Sequence, residues 1–154
     1  MSMVFASTGH AGSGVRTRSR SAGHGRGGSP DPQDVYLPPG WPEQVAPPGT
    51  ERMESDAAAF LLDCCPPDYR AYPLLRRQPV VLARFAADHV EGQIRSTRQA
   101  LAGARTGLAD VVSLEVLDGA VDMLQQEEAR LVRLRRAVAL VEEALRGNVF
   151  VRRL

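Results

Sequence analysis

Two long stretches of this chain place mostly apolar residues at spacings that alternate between three and four positions. In the first stretch these residues are Val80, Ala83, Ala87, Val90, Ile94, Thr97, Leu101, Ala104, Leu108 and Val111. In the second they are Leu117, Ala120, Leu124, Glu127, Leu131, Leu134, Val138, Val141 and Leu145. This alternation is typical of helices that pack as in a coiled coil. It predicts an all-α protein with helices over residues 79–109 and 114–146, joined by a short link into a long antiparallel hairpin.

A shorter helix is predicted before the hairpin, over residues 51–65. Thr50 can cap its start, and Pro66 ends it because the residue before a proline is disfavoured in the α region. The open end of the hairpin carries apolar residues outside the main stripe, among them Leu82 and Phe85. We expect the short helix and the tyrosine-containing turn after it to cover that end. The result would be a three-helix head and a thinner two-helix stalk.

Charged residues beside the two stripes favour one register of the hairpin. That register brings together three pairs of opposite charge, which are Arg84–Glu142, Glu91–Arg135 and Arg98–Glu128. A slip of one heptad in either direction would place like charges together. Each exposed pair contributes only about 0.3–0.5 kcal/mol, so the apolar stripes must supply the stability. Glu127, the one acid on the second stripe, is expected to turn outwards towards Arg98 or Arg105.

The link between the two long helices is rich in apolar residues. Six of them lie close together in the sequence: Leu108, Val111, Val112, Leu114, Val116 and Leu117. A two-helix stalk cannot bury all of these side chains, and an exposed apolar patch often marks an interface. We therefore predict that these residues bind a protein partner, and that the expected assembly is a homodimer through the stalk, such as a four-helix bundle.

The helical domain is predicted to cover residues 51–147. The segments before and after it are polar or rich in proline. Residues 1–30 are mainly glycine, serine and arginine, so a disordered tail is predicted. Residues 31–50 are expected to form an extended strap on the helical core, and residues 148–154 a C-terminal tail. Tyr36, Leu37 and Trp41 give the strap something to bury. The alternative is that this segment is a free peptide motif for a partner's aromatic groove.

Composition narrows the chemistry that the chain can perform. All 19 basic residues are arginine, and the absence of lysine excludes a Schiff base and a P-loop lysine. Residues 31–68 carry eight acids and one arginine, whereas residues 69–108 carry seven arginines and two acids, so the strap is expected to favour that basic region. There is no 18-residue apolar run and no good signal peptide. We therefore expect a cytoplasmic protein without a membrane segment.

Cys64, Cys65 and His89 are the residues from which a reactive site could be built. A cysteine nucleophile needs a histidine base, and His89 is the only histidine outside the predicted tail. The simplest interpretation is structural: the segment around the cysteines is a hinge between helices, and its apolar side chains belong to the core. Two adjacent cysteines and one histidine do not provide the four ligands of a zinc site. No catalytic residue, metal, cofactor or small-molecule substrate is predicted.

Arginines also cluster on the second long helix, at Arg130, Arg133, Arg135 and Arg136. Basic helices can bind phosphates. Glutamates flank this cluster on both sides, so we expect these arginines to pair within the chain.

The segments "VYLPPGWP", "LLDCCPPDYRAYPLLRRQPVVLARFAADHVE" and "VEEALRG" resemble short uncharacterised helical proteins of high-GC actinobacteria. The resemblance covers about residues 31–147 and omits the arginine-rich tail, which implies that the tail is dispensable. It implies no catalytic residues and no particular function.

The pattern as a whole favours a non-enzymatic protein-interaction or scaffold module that acts through its helical hairpin and associates with itself. A nucleic-acid-associated protein that uses the arginine-rich tail is the alternative. An enzyme with a site built from Cys65 and His89 is the third hypothesis.

Overall fold

The computed structural model describes residues 36–150 of the chain. The predicted tail 1–30, the first part of the strap and residues 151–154 lie outside the described residues. The helical elements of the described residues are α1 (Met53–Asp63), a 3-10 helix (Pro67–Ala71), α2 (Pro73–Arg77), α3 (Pro79–Leu108) and α4 (Leu114–Leu145). Residues 36–150 contain no β-strand, so the all-α fold class is confirmed for this part of the chain.

The two long helices begin and end where local chemistry favours it. α3 begins at Pro79, because a proline at the first helical position has no N–H to leave unpaired. Ser113 caps α4, since its hydroxyl accepts a hydrogen bond from the Val116 backbone N–H at 3.4 Å. Gly147 follows α4 with a φ of 84°, a conformation that glycine adopts without strain.

The start of α1 differs from the prediction. Thr50 does not cap the helix, because its hydroxyl donates to the Pro47 carbonyl oxygen at 2.7 Å and so belongs to the preceding turn. Arg52 occupies the N-cap position without a side-chain cap. Glu54 and Asp56 lie in the first turn, where the helix dipole stabilises acidic groups.

Apolar side chains are buried in two separate clusters. The larger lies where α1 packs on the first part of α3 and the last part of α4 and α2 packs on α3. Its most deeply buried large side chains are Leu61, Leu82, Val90, Leu131, Val138 and Val141. The smaller lies further along α3 and α4 and contains Ala104, Leu117 and Val121. We call the parts of the molecule around these clusters the head and the stalk. The division agrees with the predicted head and stalk.

Two of the three predicted ion pairs join α3 and α4. Arg98 Nε lies 2.6 Å from Glu128 Oε1, and Arg135 Nε lies 3.8 Å from Glu91 Oε2. The third predicted pair does not form. Arg84 pairs instead with Asp88, and Glu142 with Arg146, each four positions away on the same helix. A partner one turn away on the same helix competes directly with one on the neighbouring helix.

Glu127 also finds its partner on its own helix. Its carboxylate turns away from the stripe, as predicted, but accepts two hydrogen bonds from Arg130, at 2.7 Å from Nε and 2.6 Å from Nη2. The expected partners, Arg98 and Arg105, were wrong. These hydrogen bonds hold the pKa of Glu127 below its usual value.

The described part of the strap packs on the head through Trp41 and Val45. The Trp41 indole donates to the Val45 carbonyl oxygen at 2.8 Å and meets the Phe150 ring edge-on, with 5.9 Å between ring centres. Val45 is buried, whereas Tyr36 and Leu37 are exposed, contrary to the prediction. At Gly40 the strap lies against Arg136 of α4, not against the basic region of residues 69–108.

Candidate protein-interaction site

The link between α3 and α4 is short and hydrogen-bonded. The backbone N–H groups of Val111 and Val112 both donate to the Leu108 carbonyl oxygen, at 3.0 and 3.1 Å. Ser113 then caps α4. These bonds fix the chain between the helices, so the side chains on the link are displayed in a defined arrangement. We call this link together with the first turn of α4 the stalk tip.

The structure divides the six predicted interface residues into two groups. Leu117 is buried in the stalk cluster, and Leu108 and Val112 are half-buried against it. By contrast, Val111, Leu114 and Val116 are 75%, 70% and 56% exposed. The first three residues therefore pack into the stalk cluster beneath the tip. The second three are exposed apolar side chains that nothing else in residues 36–150 covers, and Leu114 and Val116, two positions apart on α4, point to nearly opposite sides of that helix.

Met123 is a further exposed apolar side chain on the side of Val116, and it was not predicted from the sequence. It is exposed on α4 and follows Val116 by seven positions, which places both side chains on the same helical face. The residue lies outside the main apolar stripe of α4, so the periodicity that predicts burial gives no reason to select it. Its spacing of seven positions from Val116 is the only signal for it in the sequence.

A second exposed apolar surface lies on the head, around a cavity of about 310 Å³. Its lining residues are Tyr69, Tyr72, Leu74, Leu75 and Phe85. The Tyr69 ring meets Tyr72 and Phe85 edge-on, with 6.4 and 6.2 Å between ring centres. Tyr72 and Leu74 are 58% and 60% exposed. We call this cavity the head pocket. The tyrosine-containing turn was expected to cover the head, but it buries Leu75 and leaves its own outer side chains exposed.

The two cysteines are placed in the core, as the structural interpretation predicts. The Cys64 thiol donates to the Phe60 carbonyl oxygen at 3.2 Å. Burial raises the pKa of Cys64 to about 12, helped by the nearby charges of Cys65 and Asp63 and opposed by Arg130. Burial also raises the pKa of Cys65, against the effect of Arg70.

Thiols with raised pKa values are protonated at neutral pH, whereas a cysteine nucleophile requires the thiolate. No hydrogen bond within residues 36–150 joins His89 to either cysteine. In this structure, therefore, neither cysteine is activated as the nucleophile that the cysteine–histidine hypothesis requires. Across the same residues, no three His, Cys, Asp or Glu side chains gather in a way that could hold a metal ion.

The arginine cluster on α4 is only partly paired. Arg130 pairs with Glu127 and Arg135 with Glu91, as the prediction of internal pairing requires. Arg133 and Arg136 have no carboxylate within 4.0 Å among the described residues. Both line an open groove of about 520 Å³ between the strap and α4.

Comparison with known proteins finds no family model that matches the chain, and no similar curated protein or solved structure. The resemblance to actinobacterial proteins therefore stays a prediction. Among the described helices, none is both long enough and apolar enough to cross a membrane.

Proposed function

We propose that this chain is a non-enzymatic protein-interaction module, built as an antiparallel helical hairpin, that binds protein through the stalk tip and associates with a second copy of itself. The observation that carries the proposal is the exposure of Val111, Leu114 and Val116 at the stalk tip, on a link whose backbone is held by hydrogen bonds. Exposed aliphatic side chains grouped in this way are typical of an interface.

The antiparallel arrangement is supported by the ion pairs between α3 and α4. Glu91 pairs with Arg135 and Arg98 with Glu128, so the paired residue numbers rise along α3 while they fall along α4. Such a hairpin brings both ends of its link to one end of the molecule. The apolar residues of the tip then project beyond the stalk core.

The rigidity of the tip favours binding. A flexible loop loses conformational entropy when it is ordered in a complex, whereas a loop that is already ordered avoids most of that cost. The Leu108 carbonyl and the Ser113 cap order the link in the free chain. A partner would therefore meet a prearranged apolar surface.

Substitution at the tip tests the proposal. We expect Val111→Ser/Leu114→Ser to lower the mass measured by light scattering at micromolar concentration while the helical circular dichroism stays unchanged. Both side chains are exposed, so the fold does not depend on them. Val132→Ser is the matched control, because Val132 is an exposed valine of α4 that lies away from the tip.

Either of two outcomes would overturn the proposal. One is a monomer mass for the unchanged protein over the whole concentration range. The other is an equal loss of association in Val132→Ser, which would show that exposed apolar residues act without regard to their position.

A further inference from the structure

The stalk tip is surrounded by acidic residues. Between residues 105 and 123 the chain carries four acids, Asp110, Glu115, Asp118 and Asp122, and one arginine, Arg105, so the net charge is −3. All five side chains are exposed. None of the four acids has an arginine within 4.0 Å among residues 36–150. The apolar surface of the tip therefore lies in a region of negative charge.

The segments that form the head pocket carry a net positive charge. Between residues 68 and 88 the chain carries four arginines, Arg70, Arg76, Arg77 and Arg84, and two acids, Asp68 and Asp88, so the net charge is +2. Arg70 and Arg84 pair with Asp63 and Asp88. Arg76 and Arg77, at the end of α2, have no carboxylate within 4.0 Å in the described part. Arg76 lines a separate cavity with Asp63 and Arg70, whereas Arg77 follows the pocket residue Leu74 by three positions and so lies on the same side of α2. Their charge is available to a partner.

Charge decides between the two ways in which two copies could meet. In a symmetric contact of tip with tip, two regions of net charge −3 would face each other, and like charges across an interface oppose association. In a contact of tip with head pocket, the acidic region faces the basic one. The cavity, at about 310 Å³, is at the small end of ligand pockets. It suits a few aliphatic side chains such as those of the tip.

We infer that self-association is head to tail: Val111 and Leu114 of one copy insert into the head pocket of the next copy, between Tyr72 and Leu74, while Asp110 and Glu115 face Arg77. This inference rests on the proposed function, because it requires the tip to be an interface. A head-to-tail contact uses two different surfaces, so two copies in contact retain one free tip and one free pocket between them. The assembly then grows into a ring or a filament rather than stopping at a dimer.

Two complementary variants test the inference: each is expected to lose self-association alone, and the two together are expected to recover one contact. Tyr72→Ser/Leu74→Ser removes two exposed side chains of the pocket, and Val111→Ser/Leu114→Ser removes two of the tip. Each variant alone is expected to be monomeric in sedimentation at a concentration where the unchanged protein is oligomeric. Mixed in equal amounts, the pocket variant still offers an intact tip and the tip variant an intact pocket. The mixture should form a one-to-one dimer and nothing larger.

Ionic strength gives a second readout on the unchanged protein. A contact between opposite charges weakens when salt screens them, whereas a contact between two acidic tips strengthens. We expect the mean mass to fall when sodium chloride is raised from about 0.05 M to about 0.5 M, a range over which the screening length drops well below about 10 Å. Val132→Ser should follow the unchanged protein in both experiments.

The outcomes separate this inference from the proposed function. If the tip variant is monomeric while the pocket variant associates normally, or if salt raises the mass, the contact is tip to tip: the proposed function then stands and the inference is wrong. If two monomeric variants fail to form a dimer when mixed, the inference is also wrong. If the tip variant associates as the unchanged protein does, both fail.

Discussion

Arg98 of α3 and Glu128 of α4 form an ion pair across the middle of the long helices, with 2.6 Å between Nε and Oε1. The two residues are 30 positions apart in the sequence, so the contact exists only because the helices pack with this register. Both side chains keep contact with solvent. The pair therefore reports on the register more than it stabilises the fold.

A double-mutant cycle on Arg98→Ala and Glu128→Ala should give a coupling energy of about 0.2–1 kcal/mol in urea unfolding. The matched control is the same cycle on Arg84 and Glu142, which the sequence pairs and the structure does not. Its coupling should be close to zero, since each residue has a partner on its own helix. A control coupling as large as that of Arg98 and Glu128 would show that Arg84 and Glu142 pair across the two helices rather than along their own.

Leu131→Ala should lower the free energy of unfolding by about 2–5 kcal/mol, because it leaves a cavity in the head core. Leu131 is among the most deeply buried side chains of the protein. The neighbouring Val132 is exposed, so Val132→Ala should change stability by no more than about 0.5 kcal/mol. Urea unfolding of both variants measures the difference. Equal effects would mean that α4 is rotated relative to the arrangement described.

Gly40→Ala and Gly92→Ala should change stability in opposite directions. Gly40 has a φ of 97°, and an added β-carbon would lie 3.3 Å from Arg136 Nε, so alanine is strained there and should cost more than about 1 kcal/mol. Gly92 lies inside α3 with open space around it, so alanine should stabilise by about 0.5–1 kcal/mol. Thermal and urea unfolding check both signs. A neutral Gly40→Ala would show that Gly40 does not hold the positive φ described here.

The Cys64 thiol should make stability depend on pH in the alkaline range. Its pKa rises from 9.0 to about 12 on folding because the thiol is buried. Above pH 9 the unfolded chain loses this proton while the folded chain keeps it, so stability is complete below pH 9 and is lost progressively towards pH 12. We expect the loss between pH 8 and pH 10.5, measured by urea unfolding, to be smaller in Cys64→Ala. An identical pH dependence in the variant would refute the assignment.

The helical elements could be predicted from the sequence because their causes are local. The alternation of three and four positions and the prolines that begin and end helices act over a few residues. α3 and α4 therefore end within one residue of the predicted boundaries. At its two ends, the first apolar stripe predicted burial less well. Val80 and Val111 follow the pattern but are exposed, since no neighbouring element packs over them.

The candidate site could be predicted as a region but not residue by residue. The sequence placed six apolar residues at the tip, and their number alone required that some be exposed. Which ones are exposed depends on how α3 and α4 meet: Leu117 turns into the stalk core, while Leu114 points away from it. The head pocket and Met123 were not predicted, because their exposure depends on the elements that fail to cover them.

The sequence by itself determined the helices, the division into head and stalk, and two of the ion pairs between α3 and α4. These follow from periodicity and from charges repeated along a helix. Only the tertiary structure decided that Val45 rather than Tyr36 anchors the strap, and that Arg84 pairs along its own helix. The reason is that each of these side chains has several possible contacts. Which contact forms depends on the neighbours that the folded chain brings within reach.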